Sequence, residues 1–239
     1  VQNDVKNMSS GVVSAMEDAK RGSQVFAGAL TALTAASINF GLVGGKYSSV
    51  QDAFSSMTKS MSIDADDFTK KVAKASGGQI DNLTILTNAT KALSLIGKDA
   101  FGDFGADFEQ MAMLSKKAAR ATGQDVSYMF DSLVNGIARE SKLILDNLGI
   151  TIDVTEAKEK YAQSLGKSVK QLTTTEEKTA VLNEAMKHLE NTYGEVAVSS
   201  GGFAGAWQQL QTSLQNARIE IGQALEPALA SITKSLIPL

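Results

Sequence analysis

The sequence predicts an all-α protein, a bundle of short helices followed by a longer amphipathic, coiled-coil-like C-terminal helix. Three observations carry this prediction. Only two prolines, Pro227 and Pro238, occur in 239 residues, and Ala, Ser, Thr and Leu dominate, a composition that favours helix over sheet. From residue 46 onward apolar residues recur in steps of three and four. Glycines then fall where each apolar stripe ends, at the places helices stop.

The composition also excludes chemistry. The chain has no Cys, which removes disulfides, thiolate metal sites and a cysteine nucleophile. One His, His188, rules out a multi-histidine metal site and argues against a Ser-His-Asp triad. A net charge of −3 offers no basic excess for specific nucleic-acid binding. No cofactor or metal is expected. The chain begins at Val1 and stops inside an apolar run, so it reads as a piece of a longer protein.

Taken in order, residues 1–45 form an N-terminal helical region with an uncharged Ala/Gly-rich stretch over 25–45. That stretch is about the roughly 20 residues a bilayer span needs. Gly28, Ala32 and Ala36 stand at four-residue spacing, which lets helices approach closely. Thr31, Thr34, Ser37 and Asn39 weaken its hydrophobicity, and an Ala-rich helix packed against protein is the favoured reading. Residues 46–194 read as a compact α-helical domain. Val50, Phe54, Met57 and Met61 line a first stripe. Asp64 opens the next helix, carrying Phe68 and Val72, and Gly77–Gly78 stops it. Leu83, Leu86, Leu93 and Ile96 mark another, ending at Gly97. Phe104, Phe108, Met111, Leu114, Ala118 and Ala121 run to Gly123. Val126, Met129, Phe130, Leu133, Val134 and Ile137 follow, then Leu143–Leu148 closing at Gly149. Asp153 with Glu156 and Thr174 with Glu177 fit capping boxes. The first opens a helix with Ala157, Tyr161 and Leu165. The second opens one with Leu182, Met186, Leu189 and Tyr193. Residues 195–202 read as a linker.

Residues 203–239 read as an amphipathic helix for self-association. Trp207, Leu210, Leu214, Ala217, Ile221 and Ala224 repeat near a heptad, and Leu225 continues on a shifted phase. Such a seam wants a partner helix. Trp207, Leu210, Leu214, Ile221 and Leu225 are therefore the candidate interface residues, toward a homo-oligomer such as a trimer.

Motifs for catalysis are missing. Asp64, Asp66 and Asp67 look like the start of a calcium loop, but Thr69 and Ala75 stand where it needs Gly and Glu. Gly41, Gly44 and Gly45 lack the strand-turn-helix setting of a phosphate loop. His188 falls opposite the stripe of its helix and reads as solvent-facing. Glu109 and Glu140 are carboxylate candidates for glycan cleavage by position only, since such work needs a raised pKa in an apolar cleft. The sequence reads as a structural protein and not an enzyme.

The string from Asp125 to Leu189 resembles a block of phage tail tape measure proteins. The matching pieces are Asp131-Ser-Leu-Val-Asn-Gly136-Ile-Ala-Arg139, Leu145-Asp-Asn-Leu-Gly149-Ile150 and Tyr161-Ala-Gln-Ser-Leu-Gly166-Lys167. Further along, Ile221-Gly222-Gln-Ala-Leu225-Glu-Pro227-Ala-Leu229 also resembles that family. The resemblance implies a virion component inside the tail tube, present in the host cytoplasm during assembly. It would set tail length as the tube polymerises and leave the tube for genome ejection. Implied partners are the tail tube protein, tail assembly chaperones and tail tip or baseplate proteins, with transient contact to the host membrane. Two other readings stand beside it: a membrane-active, toxin-like helical protein, and a peptidoglycan-cleaving tail component.

Overall fold

Five aspartates, a serine and a threonine open the seven helices of the central region. The computed structural model describes residues 39–197 and 202–236. The Gly28, Ala32 and Ala36 spacing and part of the 195–202 linker lie outside the described residues. Every regular element among the described residues is helical: α1 over 39–58, α2 (Ala65–Ala75), α3 (Asn82–Leu95), α4 (Phe104–Thr122), α5 (Val126–Ala138), α6 (Lys142–Asp146), α7 (Val154–Ser164), α8 (Thr174–Tyr193) and α9 (Gly202–Leu236). Short 3₁₀ turns sit at Lys59–Met61, Lys98–Ala100 and Val169–Gln171. The fold class is therefore all-α, short helices followed by one long C-terminal helix.

The caps explain why the helices start where they do. Asp64, Asp81, Asp103, Asp125 and Asp153 each accept a backbone N–H of the first turn, as do Ser141 and Thr173. A cap of this kind is worth about 1 kcal/mol because it satisfies an otherwise orphan donor. Two expected capping boxes differ in detail. The box of α8 is Thr173 with Glu176, one residue earlier than Thr174 with Glu177. Glu176 reaches back to the Thr173 N–H at 2.7 Å, and the earlier start leaves Glu177 to pair with Lys158 at 2.7 Å. At α7, Asp153 accepts from Thr155 and Glu156. Glu156 does not reciprocate, because its carboxylate is turned to Lys160 at 2.9 Å, one helical turn on.

Five helix ends share one geometry. Gly77, Gly123, Gly149 and Gly166 have φ of 69°, 72°, 72° and 66°, and Glu140 has φ of 51°. At each, the N–H of the following residue returns to a carbonyl five positions back, as in Ser141 to Gly136 and Ile150 to Leu145. This is the Schellman ending, whose left-handed residue is ordinarily glycine.

Among the described residues the chain divides into two compact units, 46–219 and the pair of segments 39–45 and 220–236. In the first, Phe54, Phe68, Phe101, Phe104, Phe108 and Phe130 gather into one cluster with neighbouring ring centroids 4.8 to 6.4 Å apart. These side chains come from α1, α2, α4, α5 and the loop before α4, so a chain with few aromatics spends most of its phenylalanines tying five segments together. Lysines bridge helix ends: Lys178 donates to the Leu95 carbonyl at the end of α3, and Lys117 to the Gly194 carbonyl after α8. Both place a cation at the negative end of a helix dipole.

The apolar stripes place most core residues correctly but overrun at helix ends. Met57, Ala121 and Leu165 are exposed, each in or just after the last turn of its helix. Ala119 and Ala162, off the expected stripes, are buried instead.

In the second unit, Gly222 of α9 lies against Phe40 and Gly44 of α1. A β-carbon on Gly222 would fall 2.7 Å from the Gly44 nitrogen and 2.8 Å from the Phe40 carbonyl carbon. α9 passes through Pro227, where the missing N–H leaves the Gln223 carbonyl without its helical donor. The Gly41–Gly45 stretch is helical, which is incompatible with a phosphate loop.

Candidate interaction surface

The first half of α9, residues 202–219, belongs to the larger unit, and its sequence decides which side faces that body. Gly205, Thr212 and Ile219 are buried at seven-residue spacing. Gly205 has Gln79 close against it, a β-carbon there lying 3.3 Å from the Gln79 amide nitrogen. Around this strip the contacts are polar. Gln208 Nε2 donates to Asp125 Oδ2 at 2.5 Å, and Gln209 Nε2 to the Gly77 carbonyl at 2.8 Å. The Asn82 N–H donates to Asn216 Oδ1 at 3.0 Å.

Each of these partners is a loose end of another helix. Asn82 is the first residue of α3, whose N–H has no intrahelical acceptor. Gly77 is the left-handed residue that ends α2. Asp125 caps α5 with Oδ1, bound to the Tyr128 N–H at 2.8 Å, and offers its second oxygen to Gln208. So α9 docks on helix termini through amides and buries few apolar atoms.

The apolar seam faces the other way. Phe203 is 85% exposed, Trp207 50%, Leu210 48% and Leu214 58%, and Ala217 is exposed with them. Phe203 and Trp207 stack with ring centroids 6.4 Å apart. Further along, Ile221 is exposed and Leu225 half-buried. At roughly 100° per residue the midline of the seam lies about 170° around the helix from the buried strip. The candidate interface residues thus lie together on one line, with Leu225 at the same angle as Trp207 and half-buried. The sequence pattern missed that docked side, because Gly, Thr and Gln form no apolar stripe. Its signal was the seven-residue spacing of Gly205, Thr212 and Ile219.

The candidates for chemistry are scattered. Asp64 and Asp67 act at the start of α2, where Asp64 caps it and Asp67 pairs with Lys71 at 2.8 Å. Asp66 accepts from Gln51 at 2.7 Å. The same region raises the Tyr47 pKa, first through burial and then through the charge of Asp66, against a hydrogen bond from Thr69. Glu109 is half-buried on α4 and lines an open cleft with Asp64, Lys71 and Asp103. Glu140, in the turn between α5 and α6, is bound by Lys158 of α7, which also holds Glu177 of α8. Lys158 is only 17% exposed. Burial pulls its pKa down, but the bonds from Glu140 and Glu177 outweigh that and hold it above the ordinary lysine value. This trio ties three helices together as an ion-pair network.

His188 is half-buried, where a solvent-facing position was expected. Its Nε2 lies 3.1 Å from the Gly149 carbonyl, which draws the ring against the turn after α6. Among the described residues, no group of three or more His, Asp or Glu side chains is placed to hold a metal ion. No described helix is long and apolar enough to cross a membrane.

No protein-family profile matches the chain, and no solved structure matches it.

Proposed function

We propose that this chain is part of a phage tail tape measure protein, a structural protein that sets tail length during tube assembly and leaves the tube for genome ejection. The observation that carries the reading is the order of the blocks built around Gly136, Gly149, Gly166 and Gly222, and the structural need for each glycine. Gly136 admits Leu145, since a β-carbon there would lie 2.6 Å from its Cδ2. Gly149 and Gly166 end helices at positive φ, and Gly222 permits the α1–α9 crossing. The strings that resemble the family are thus strings this fold needs. The tail tube protein, assembly chaperones and tail tip proteins are the partners of this role, inside the tube of the virion.

A ruler writes length as residue number, at about 1.5 Å per helical residue. The unit 46–219 holds its helices folded on one another, so it serves as a ruler only if it opens inside the tube. An in-frame deletion of 79–194 in the parent gene tests this by electron microscopy of tails. Tails shorter by about 170 Å are expected for an extended ruler. Tails of unchanged length would remove the ruling role from this segment.

A further inference from the structure

We propose that the cleft between the C-terminal half of α4 and the start of α9 binds a small aliphatic carboxylate. The cleft lies wholly within the larger unit and has a volume of 250 Å³. That is room for about eight waters at roughly 30 Å³ each, or for a carboxyl group on a short hydrocarbon chain. Ala119, Val126, Ala204 and Gly205 supply an apolar wall, and Lys116 and Arg120 supply positive charge. Among the described residues no Asp or Glu lines it.

Gln79 is the group that asks for a ligand. It is 7% exposed and stands in the loop between α2 and α3. Its backbone carbonyl accepts from Ser127 Oγ at 3.2 Å, and Asp81, two residues on, caps α3, so the loop is held at both points. The side chain lines the cleft. A β-carbon on Gly205 would lie 3.3 Å from its amide nitrogen, so the glycine keeps the donor uncrowded. Among the described residues nothing hydrogen-bonds that amide. A buried amide left unpaired is costly, and folded proteins ordinarily supply it with a partner.

Lys116 provides the matching charge. It is half-buried, and among the described residues its ammonium has no ion pair. Arg120 follows one helical turn on. An amide donor and cations lining one cleft select an oxygen anion. The apolar wall selects a hydrocarbon body over a hydrated inorganic ion. Gln79 and Gln208 also line a second cleft, which holds Asp81 and Asp125 and would repel an anion. Charge thus assigns the carboxylate to the first. The inference does not depend on any role in a tail.

The test is titration of the isotope-labelled chain with sodium butyrate at constant ionic strength, read in its amide spectra. A saturating shift of the Gln79 side-chain amide and of the Gly205 N–H is expected, at about millimolar affinity for so small a ligand. Butyramide, nearly the same shape without the charge, is expected to bind about tenfold more weakly. Lys116→Gln is expected to weaken butyrate about tenfold while the rest of the spectrum stays that of the parent fold. Gln79→Leu, which removes the donor and keeps the bulk, is expected to weaken it as well; should that variant fail to fold, Lys116→Gln carries the test. No saturating shift with butyrate, equal binding of butyramide, or parental affinity in Lys116→Gln overturns the site. Inorganic phosphate binding more tightly than butyrate overturns the choice of a carboxylate.

Discussion

Gly44 and Gly222 meet backbone to backbone, with room for hydrogen and nothing larger. A β-carbon on Gly222 would lie 2.7 Å from the Gly44 nitrogen, and neither side of that contact has a rotamer to change. Gly→Ala in a helix ordinarily gains about 1 kcal/mol. Here the clash is expected to reverse the sign, with Gly222→Ala losing about 2 kcal/mol or more. Amide exchange should then quicken over residues 39–45 and stay slow over 104–138. A stabilised variant would show that the two helices do not touch.

Gly136 makes the same argument with a side chain. Leu145, fully buried, fills the space a β-carbon would need, its Cδ2 and Cγ lying 2.6 and 2.8 Å away. Gly136→Ala is expected to cost about 2 kcal/mol by overpacking, seen as a lower urea midpoint at unchanged slope. Combined with Leu145→Ala, the two losses should add to less than their sum, since the second substitution vacates the space the first one needs.

Lys158 holds two carboxylates from separate segments, Glu140 in the turn between α5 and α6 and Glu177 on α8. Lys158→Met would leave Glu140 and Glu177 partly buried without a counter-charge, at a cost of about 2 kcal/mol near neutral pH. The folded pKa of Lys158 is raised: burial lowers it, but the bonds to Glu140 and Glu177 prevail. A raised lysine contributes its full stabilisation below the unfolded pKa of about 10.4 and loses it as pH rises through the higher folded value. The stability gap between parent and Lys158→Met chains should therefore be level from neutral pH to about 10 and close above it. Denaturant midpoints across that range decide the matter, and a gap that closes below pH 9 would contradict the network.

Glu140 carries a second burden, a left-handed backbone at φ 51°. Glu140→Gln removes the charge and keeps the strain. Glu140→Gly removes the charge and relieves it. The glycine variant is expected to be the more stable of the two by about 1 kcal/mol, a difference that thermal melts of the pair will read directly.

Ser115 sits in the core of α4, 2% exposed, with its hydroxyl buried and without a hydrogen-bond partner. Ser115→Ala removes that desolvated group and improves helix propensity. A gain of about 1 kcal/mol is expected, measurable as a higher melting temperature. A loss would mean the hydroxyl is satisfied in solution.

Much of this fold was legible because its signals are local. An aspartate before an apolar stripe and a glycine after it bound α2, α4 and α5 through backbone hydrogen-bonding needs that lie within a few residues. The start of α8 was misplaced by one position because two overlapping Thr-x-x-Glu patterns compete, and the winner depends on Lys158, distant in sequence. His188 was misjudged for the same reason, since the carbonyl that draws it in belongs to Gly149. On α9 the seam was readable and its orientation was not. Period alone says that Trp207, Leu210 and Leu214 share a side. It does not say that the opposite side is engaged by Gln208, Gln209 and Asn216, whose partners are ends of three other helices.

That amide-rich seat has a thermal consequence. Parting residues 202–219 from the body would hydrate glutamine and asparagine side chains and helix termini, with little hydrocarbon beyond Ile219. Apolar hydration raises heat capacity and polar hydration lowers it, so this opening carries almost no heat-capacity change. Its free energy should run nearly straight with temperature, while the phenylalanine-filled interior follows the usual dome. Cold weakens the interior and leaves the seat of α9 comparatively firm.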